Sequence, residues 1–484
     1  MVLNNIEPRE VLTHFEALSN IPRSPRNEHA VTEHILAFAK ECGLSFYRDE
    51  ILNVIIKKPG SPGYENAPAL ILQGHTDMVC EKNSDVTHDF LKDPIKLVVD
   101  GDFLRAQGTT LGADNGVACA IMMALLGSKD IPHPPLECVF TSQEEIGLIG
   151  ASKLDFSQLN AKAMINLDSG KEGQLTVGCA GGIKAVASLP AELISVPAES
   201  SCYVLSIKGL AGGHSGNDIH LGRGNANILM ARVLMRLDDK FELHLVEING
   251  GAQDNAIPRE CTATIALNPK NEAALKTHLA EIEAEYKAEL RVADPDIRLF
   301  YEPLVSNQPT QVISPTCTRK LLGLVALSPA GVLAMSLDIE GLVETSSNPA
   351  VIRTSGDTLK MSFMTRSSVE SKRDFVVEQI RLLCGLIGAD ITVSAGYPGW
   401  QYAPVSRLRD VAVAAYKELY NQAPEVAAKH SGLEGGIFVG NIPGLDCISL
   451  GPDLFDLHSP DERMSLPSLQ RTWAFLKKLL AQLN

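Results

Sequence analysis

The apolar positions of this chain fall into two textures. Up to about residue 186, and again from about residue 396, short continuous apolar runs alternate with segments of helical period. Leu52 to Lys57, residues 69–75, Leu136 to Thr141, Ala161 to Leu167 and Asp446 to Leu450 read as strands buried on both faces. Residues 8–43 predict two amphipathic helices, the second closed by Gly43. Val117 to Leu126 is apolar on every side and predicts a buried helix, and 406–421, 432–439 and 467–482 predict three more. Leu97 to Arg105 reads as a hairpin with Asp100-Gly101 at its turn. Strands alternating with helices imply an α/β fold with a doubly wound, mostly parallel sheet.

Between about 187 and 395 the pattern changes. Cys202 to Lys208 and Cys261 to Leu267 alternate apolar with polar, as strands with one wet face do, and helices are predicted over 225–237 and 272–290. A second similar unit is expected over 315–381: a helix at 316–327, strands near 332–344 and 358–365, and a helix at 371–386. The stretch from Gly396 to Pro404 reads as a linker. The simplest organisation is one discontinuous α/β domain, 1–186 with 396–484, carrying an inserted α+β domain over 187–395.

Composition narrows the class. A formal charge of −15 opposes nucleic acid and anionic membranes as partners. Met1 to Glu10 lacks the apolar core of a signal peptide, and the longest apolar run, Gly116 to Gly127, is too short to span a bilayer. The ten cysteines are scattered with no Cys-x-x-Cys, which suits reduced thiols in a soluble, cytoplasmic protein.

Candidate chemistry collects at strand ends. Residues two apart on a strand point the same way, so His75 and Asp77 leave their strand tip together. Alone, such a pair is ordinary surface polarity; the other reading is a metal ligand with the carboxylate that orients it. Glu144-Glu145, Asp168 and His458 also sit at or just past strand ends, and Asp114 lies at a loop-to-helix junction where it could equally cap the helix. Ligands of open α/β sheets bind along that edge. Two His and three carboxylates, His75, Asp114, Glu145, Asp168 and His458, supply a pair of divalent cations, and the N/O mix suits Zn, Mn or Co better than calcium.

Gln73-Gly-His-Thr-Asp77, Leu111-Gly-Ala-Asp-Asn-Gly116, Thr141-Ser-Gln-Glu-Glu-Ile-Gly147, Asn166-Leu-Asp168 and the late His458 resemble the two-metal aminoacylase/carboxypeptidase superfamily. Gly212-Gly-His-Ser-Gly216, Arg223-Gly-Asn-Ala-Asn227 and Asn255-Ala-Ile-Pro258 resemble its aminoacyl-histidine dipeptidase branch. The resemblance implies an insertion of the lid or dimerisation type and roles position by position. Asp114 would bridge two metals, completed by His75 and Asp168 on one side and Glu145 and His458 on the other. Asp77 would hold the His75 ring and Glu144 would be the general base, with a cis peptide at Asp114–Asn115. His214, helped by Asn255, is the implied donor to the scissile carbonyl. In relatives with a single-unit insertion an Arg ends the strand after Asn-x-Ile-Pro; here that position is Asn268, and Arg366 takes its place as the candidate for the substrate carboxylate. The residues Gly432 to Gly436 suit a pocket wall or a helix start.

The expected function is hydrolysis of unblocked dipeptides, including Xaa-His, with small peptides as partners and a homodimer as one arrangement that supplies His214. The alternatives are a deacylase or short-peptide aminopeptidase of the same superfamily, or an inactive scaffold that keeps the fold.

Overall fold

The computed structural model describes residues 2–306 and 308–484, divided into two compact units. The first comprises the chain up to Cys179, Trp400–Ala428 and Leu433–Asn484; the second comprises Ala180–Gly399 and Lys429–Gly432.

The first unit is built on an eight-stranded mixed sheet. Its centre is four parallel strands in the order Leu136–Thr141, Leu70–His75, Ala163–Asn166, Asp446–Ser449. Val54–Lys58 joins antiparallel on one side, and Gln174–Cys179 on the other. Leu70, Ile71 and Leu72 are buried, as strands covered on both faces must be. The helix Ala113–Gly127 packs on this strand, and every residue from Val117 to Leu126 is buried. Register then brings the strand ends together, with His75 opposite Thr141, and Gln73 and Ser449 opposite Asn166. The hairpin of Leu97–Asp100 and Phe103–Ala106 turns at Gly101-Asp102, one residue later than its sequence suggests. Pairing of Asp100 with Phe103 makes Gly101 the first turn residue, where its φ of 57° is best tolerated by glycine.

The second unit is organised on one nine-stranded antiparallel sheet to which both halves of the insertion contribute. Leu205, Leu245 and Ile265 meet Leu229, Leu234 and Ile282 from the helices Ala226–Asp238 and Glu272–Glu289 in its core. The expected strand over 332–344 is instead two, Gly331–Met335 and Val343–Ser355, because Gly341 turns the chain between them at φ 76°. The residues read as a linker are packed. In this unit Tyr397 bridges Gly182, while in the first unit Trp400, 3% exposed, bridges Cys179. Glycine and proline gave the segment a linker's composition, but its two aromatic anchors decide its state.

Candidate metal centre and active site

The ends of the parallel strands deliver the site. His75 closes Leu70–His75, Asp168 lies two residues beyond Ala163–Asn166, and Glu144 and Glu145 follow Leu136–Thr141. His458 comes after the short strand Leu454–Phe455, at φ 61°. Asp114 departs from helical geometry at φ −80°, ψ 103°, and its peptide bond to Asn115 is cis. Asp114 therefore projects a carboxylate from the helix start instead of capping it.

The structure brings these residues into overlapping groups. Ligand atoms of His75, Asp114 and Asp168 lie within 4.8 Å of one another, as do those of Asp114, Glu145 and His458. Asp114 belongs to both, with Oδ1 3.1 Å from His75 Nε2 and Oδ2 3.4 Å from His458 Nε2. His458 Nε2 is also 3.3 Å from Glu145 Oε2, and Glu144 Oε2 lies 4.0 Å from His75 Nε2.

Charge makes the cluster unusual. Burial alone would lower the His75 imidazole, but Asp114 and Asp77 outweigh it and hold it well above its ordinary value. Burial would raise Asp114, yet hydrogen bonds from His458 and His75 keep it far below the carboxylate range. Asp114 and Glu145 hold His458 up to about 10. Glu144 is pushed well above the ordinary range by burial, with Asp168 and Glu434 adding to it against the pull of His75. Asp77, Asp114, Glu144, Glu145 and Asp168 thus converge on two imidazoles, and Glu145 Oε1 is buried without a hydrogen-bond partner. Surplus buried negative charge with an unsatisfied oxygen suits divalent cations, and N/O donor sets sharing one carboxylate fit a pair of them.

Supporting residues fix the donors. Asp77 is buried; its Oδ1 accepts from Glu144 N at 3.0 Å and its Oδ2 from Glu145 N at 3.1 Å, and Oδ1 lies 3.4 Å from His75 Nδ1. Asp77 therefore orients the His75 ring, with its backbone carbonyl 3.1 Å from Nδ1 and its carboxylate alongside, while the same carboxylate fixes the Glu144-Glu145 backbone. Three partners escaped the sequence reading. Buried Glu462 accepts from the amides of Leu111, Gly112 and Ala113 at 2.7–2.9 Å and from Asp114 at 3.3 Å. Buried Arg23 donates to the carbonyls of Thr76 and Gly112 at 3.0 and 2.5 Å, tying the His75 strand tip to the Asp114 loop. Fully buried Glu434 accepts from Gln73 Nε2 at 2.5 Å and Thr141 Oγ1 at 2.7 Å, and burial pushes it up to about 7. It opens the helix Glu434–Asn441, so the segment from Gly432 is a helix start.

Other predicted residues lie in the second unit. His214 and Ala256 are paired in a two-stranded ladder, and the next backbone contact joins Ser215 N to the Asn255 carbonyl at 2.8 Å. The His214 Nδ1 accepts from the amides of Gly216 and Asn217 at 3.2 and 3.1 Å, so its proton resides on Nε2. Burial and the Arg366 charge lower its pKa and keep it neutral. Arg366 lies on Thr358–Ser367, is 4% exposed, and donates from Nη1 to the Tyr397 hydroxyl at 2.6 Å. Asn268 caps a short turn by accepting from Lys270 N at 3.0 Å.

The chain is 36% identical to the cytosol non-specific dipeptidase of Escherichia coli (strain K12), over 99% of both. It matches the crystal structure of aminoacylhistidine dipeptidase from Vibrio alginolyticus with a TM-score of 0.91 and 37% identity, covering 99% of this chain and 98% of that one. Aminopeptidase PepT from Bacillus cereus shares the fold, with a TM-score of 0.58 and 16% identity over 99% of each chain. Residues 205–294 match the model of a peptidase dimerisation domain.

Proposed function

The chain belongs to the aminoacyl-histidine (cytosol non-specific) dipeptidase family of two-metal peptidases, and from that membership we propose how its residues share the hydrolysis of an unblocked dipeptide, Xaa-His included. One cation would be held by His75, Asp114 and Asp168, the second by Asp114, Glu145 and His458; zinc is our assignment, with Mn and Co suited to the same donors. When bound, the two cations polarise the scissile carbonyl and acidify a water.

Glu144 is assigned as general base: it removes a proton as the water oxygen attacks the carbonyl carbon, and delivers it to the leaving amine as the C–N bond breaks. Its burial suits this, because a carboxyl held above its ordinary range is a stronger base for the water proton. Asp77 keeps the His75 ring turned with Nε2 outward. His214, holding its proton on Nε2, is assigned as donor to the developing oxyanion, assisted by Asn255. Arg366 is assigned to the substrate's free carboxylate. Its guanidinium is buried and ion-paired with no acidic residue among the described ones within 4.0 Å, so its charge is available. A homodimer is part of the proposal, resting on the match of 205–294 to a peptidase dimerisation domain. Free cysteines and a relative named for the cytosol support a cytoplasmic location, and no helix among the described residues is long and apolar enough to cross a membrane.

The observation that carries the reading is the sharing of Asp114 between two donor groups beside a buried glutamate. Glu144→Gln is expected to retain two metals per chain while kcat falls by roughly 10²- to 10⁴-fold or more, the usual worth of a general base. Near-normal turnover would remove Glu144 from that role. Faster cleavage of N-acetyl amino acids than of dipeptides would move the substrate assignment to the deacylases.

A further inference from the structure

Arg366 is buried beside a hydroxyl where a buried guanidinium commonly meets a carboxylate. Three adjacent backbones explain how the hydroxyl reaches it. Arg366 is directly opposite Gly182 on the neighbouring strand, and Gly182 is bridged on its other side to Tyr397. Tyr397, Gly182 and Arg366 therefore form a lateral row, and the phenol must cross the middle position. It can do so because that position has no side chain: a Cβ on Gly182 would stand 2.6 Å from both Cζ and Oη of Tyr397. Gly432 backs the ring, where a Cβ would stand 2.7 Å from Cε2. Reciprocal backbone hydrogen bonds with Gly182, 2.9 and 3.0 Å, and one from Arg373 Nη1 to the Tyr397 carbonyl, 3.0 Å, fix the backbone. The ring has little freedom to leave Arg366.

We propose that Tyr397 is a positioning residue for Arg366, aiming the guanidinium at the substrate's C-terminal carboxylate while leaving its charge uncompensated. This rests on the assignment of Arg366 to that carboxylate. The chemistry favours a phenol over an acid here. An Asp or Glu would hold the guanidinium equally well, but would occupy a donor edge and cancel the charge that an anionic substrate needs. A neutral oxygen accepts one N–H at 2.6 Å and leaves the remaining donors for the ligand. The histidines nearby bring no charge either: His214 and His430 are both driven towards their neutral forms by burial and then by the Arg366 charge, His430 to about 3. His430 in turn is hydrogen-bonded at 2.7 Å to Ser346, the residue opposite Arg366 on its other neighbouring strand.

The test compares a dipeptide with the same dipeptide as its C-terminal amide, in the metal-loaded enzyme. Tyr397→Phe removes one oxygen; it should raise KM for the dipeptide roughly ten- to a hundredfold, the usual worth of a hydrogen bond to a charged group. Its kcat should move by less than about threefold, because uniform binding is what is lost. The preference for the free carboxylate over the amide should shrink in parallel. Gly432→Ala, which keeps the hydroxyl but pushes the ring, should shift KM in the same direction and keeps the proposal testable if the first variant folds poorly. Arg366→Gln separates the two layers. If it retains the preference for the free carboxylate, the assignment of Arg366 fails and the role of Tyr397 with it. If it loses that preference while Tyr397→Phe and Gly432→Ala both keep it, Tyr397 alone is misassigned. An equal loss on both substrates, or a fall in kcat at constant KM, would also overturn the positioning role.

Discussion

At the scale of single residues, protons decide what each histidine can do. His214 receives two backbone N–H groups on Nδ1, which leaves Nε2–H as its one donor and fits an oxyanion better than a base. His214→Ala should therefore lower kcat by about 10²- to 10³-fold, as loss of one oxyanion donor does, with metal content unchanged. His214→Gln, which keeps an N–H donor, should recover part of it. Loss of metal in His214→Ala would show that the imidazole belongs to the metal cluster instead. The residues that carry charge to a strand tip were readable in sequence, since His75, Glu144, Glu145 and Asp168 follow recognisable apolar strands. Residues acting through the backbone were not. Glu462 meets only amides and Arg23 only carbonyls, and such contacts impose neither spacing nor composition on the chain. Glu434 was hidden differently, inside a glycine-rich helix start whose burial a sequence does not announce.

At the scale of elements, the loop entering Ala113–Gly127 shows how the carboxylate shared by the two donor groups is held. A regular helix start would direct the Asp114 side chain back on the turn before it; the non-helical torsions at Asp114 and Asn115 release it. The amides leading into and opening the helix, which have no intrahelical acceptor, are gathered by Glu462. Asn115 completes the fastening: its Oδ1 accepts from His75 N at 3.2 Å and its Nδ2 donates to the Leu167 carbonyl at 3.0 Å. Glu462→Ala should leave four buried amides without their acceptor and weaken metal binding by about 10- to 100-fold, the usual effect of removing a group that orients a ligand. Competition with a chelator of known affinity measures it, and an unaltered metal affinity would show that the loop holds its shape alone. The run 396–404 teaches the converse lesson. Its Pro and Gly residues predict a connection, whereas Tyr397 and Trp400 convert it into packed structure through partners more than two hundred residues earlier.

At the scale of the whole molecule, the candidate metal centre joins distant parts of one discontinuous unit: His75, Asp114, Glu145 and Asp168 come from the segment ending at Cys179, and His458 from the segment beginning at Leu433. Cations that bind this assembly and not the unfolded chain stabilise it by mass action, by ~4 kcal/mol when free metal exceeds its Kd about 1,000-fold. Protons compete for the same histidines. In the metal-free protein His458 is raised from 6.5 to about 10, so its contribution to stability is complete below pH 6.5 and is lost as pH rises towards 10. His75 is shifted in the same direction and adds to that loss. Metal binding has the opposite dependence, because only the deprotonated imidazole is a ligand. Because protons on the folded-state histidines compete with metal up to about pH 10, the melting-temperature difference between metal-loaded and chelator-treated protein should be small at low pH and widen steadily as pH rises towards 10. Thermal unfolding of both forms across that range provides the measurement, in one buffer series at fixed free metal. A difference independent of pH would mean that the histidines do not exchange protons for metal, and the ligand set assigned here would fall. In His458→Asn the remaining dependence should come from His75 alone, so the widening should be reduced but not abolished, which separates the contributions of the two ends of the chain.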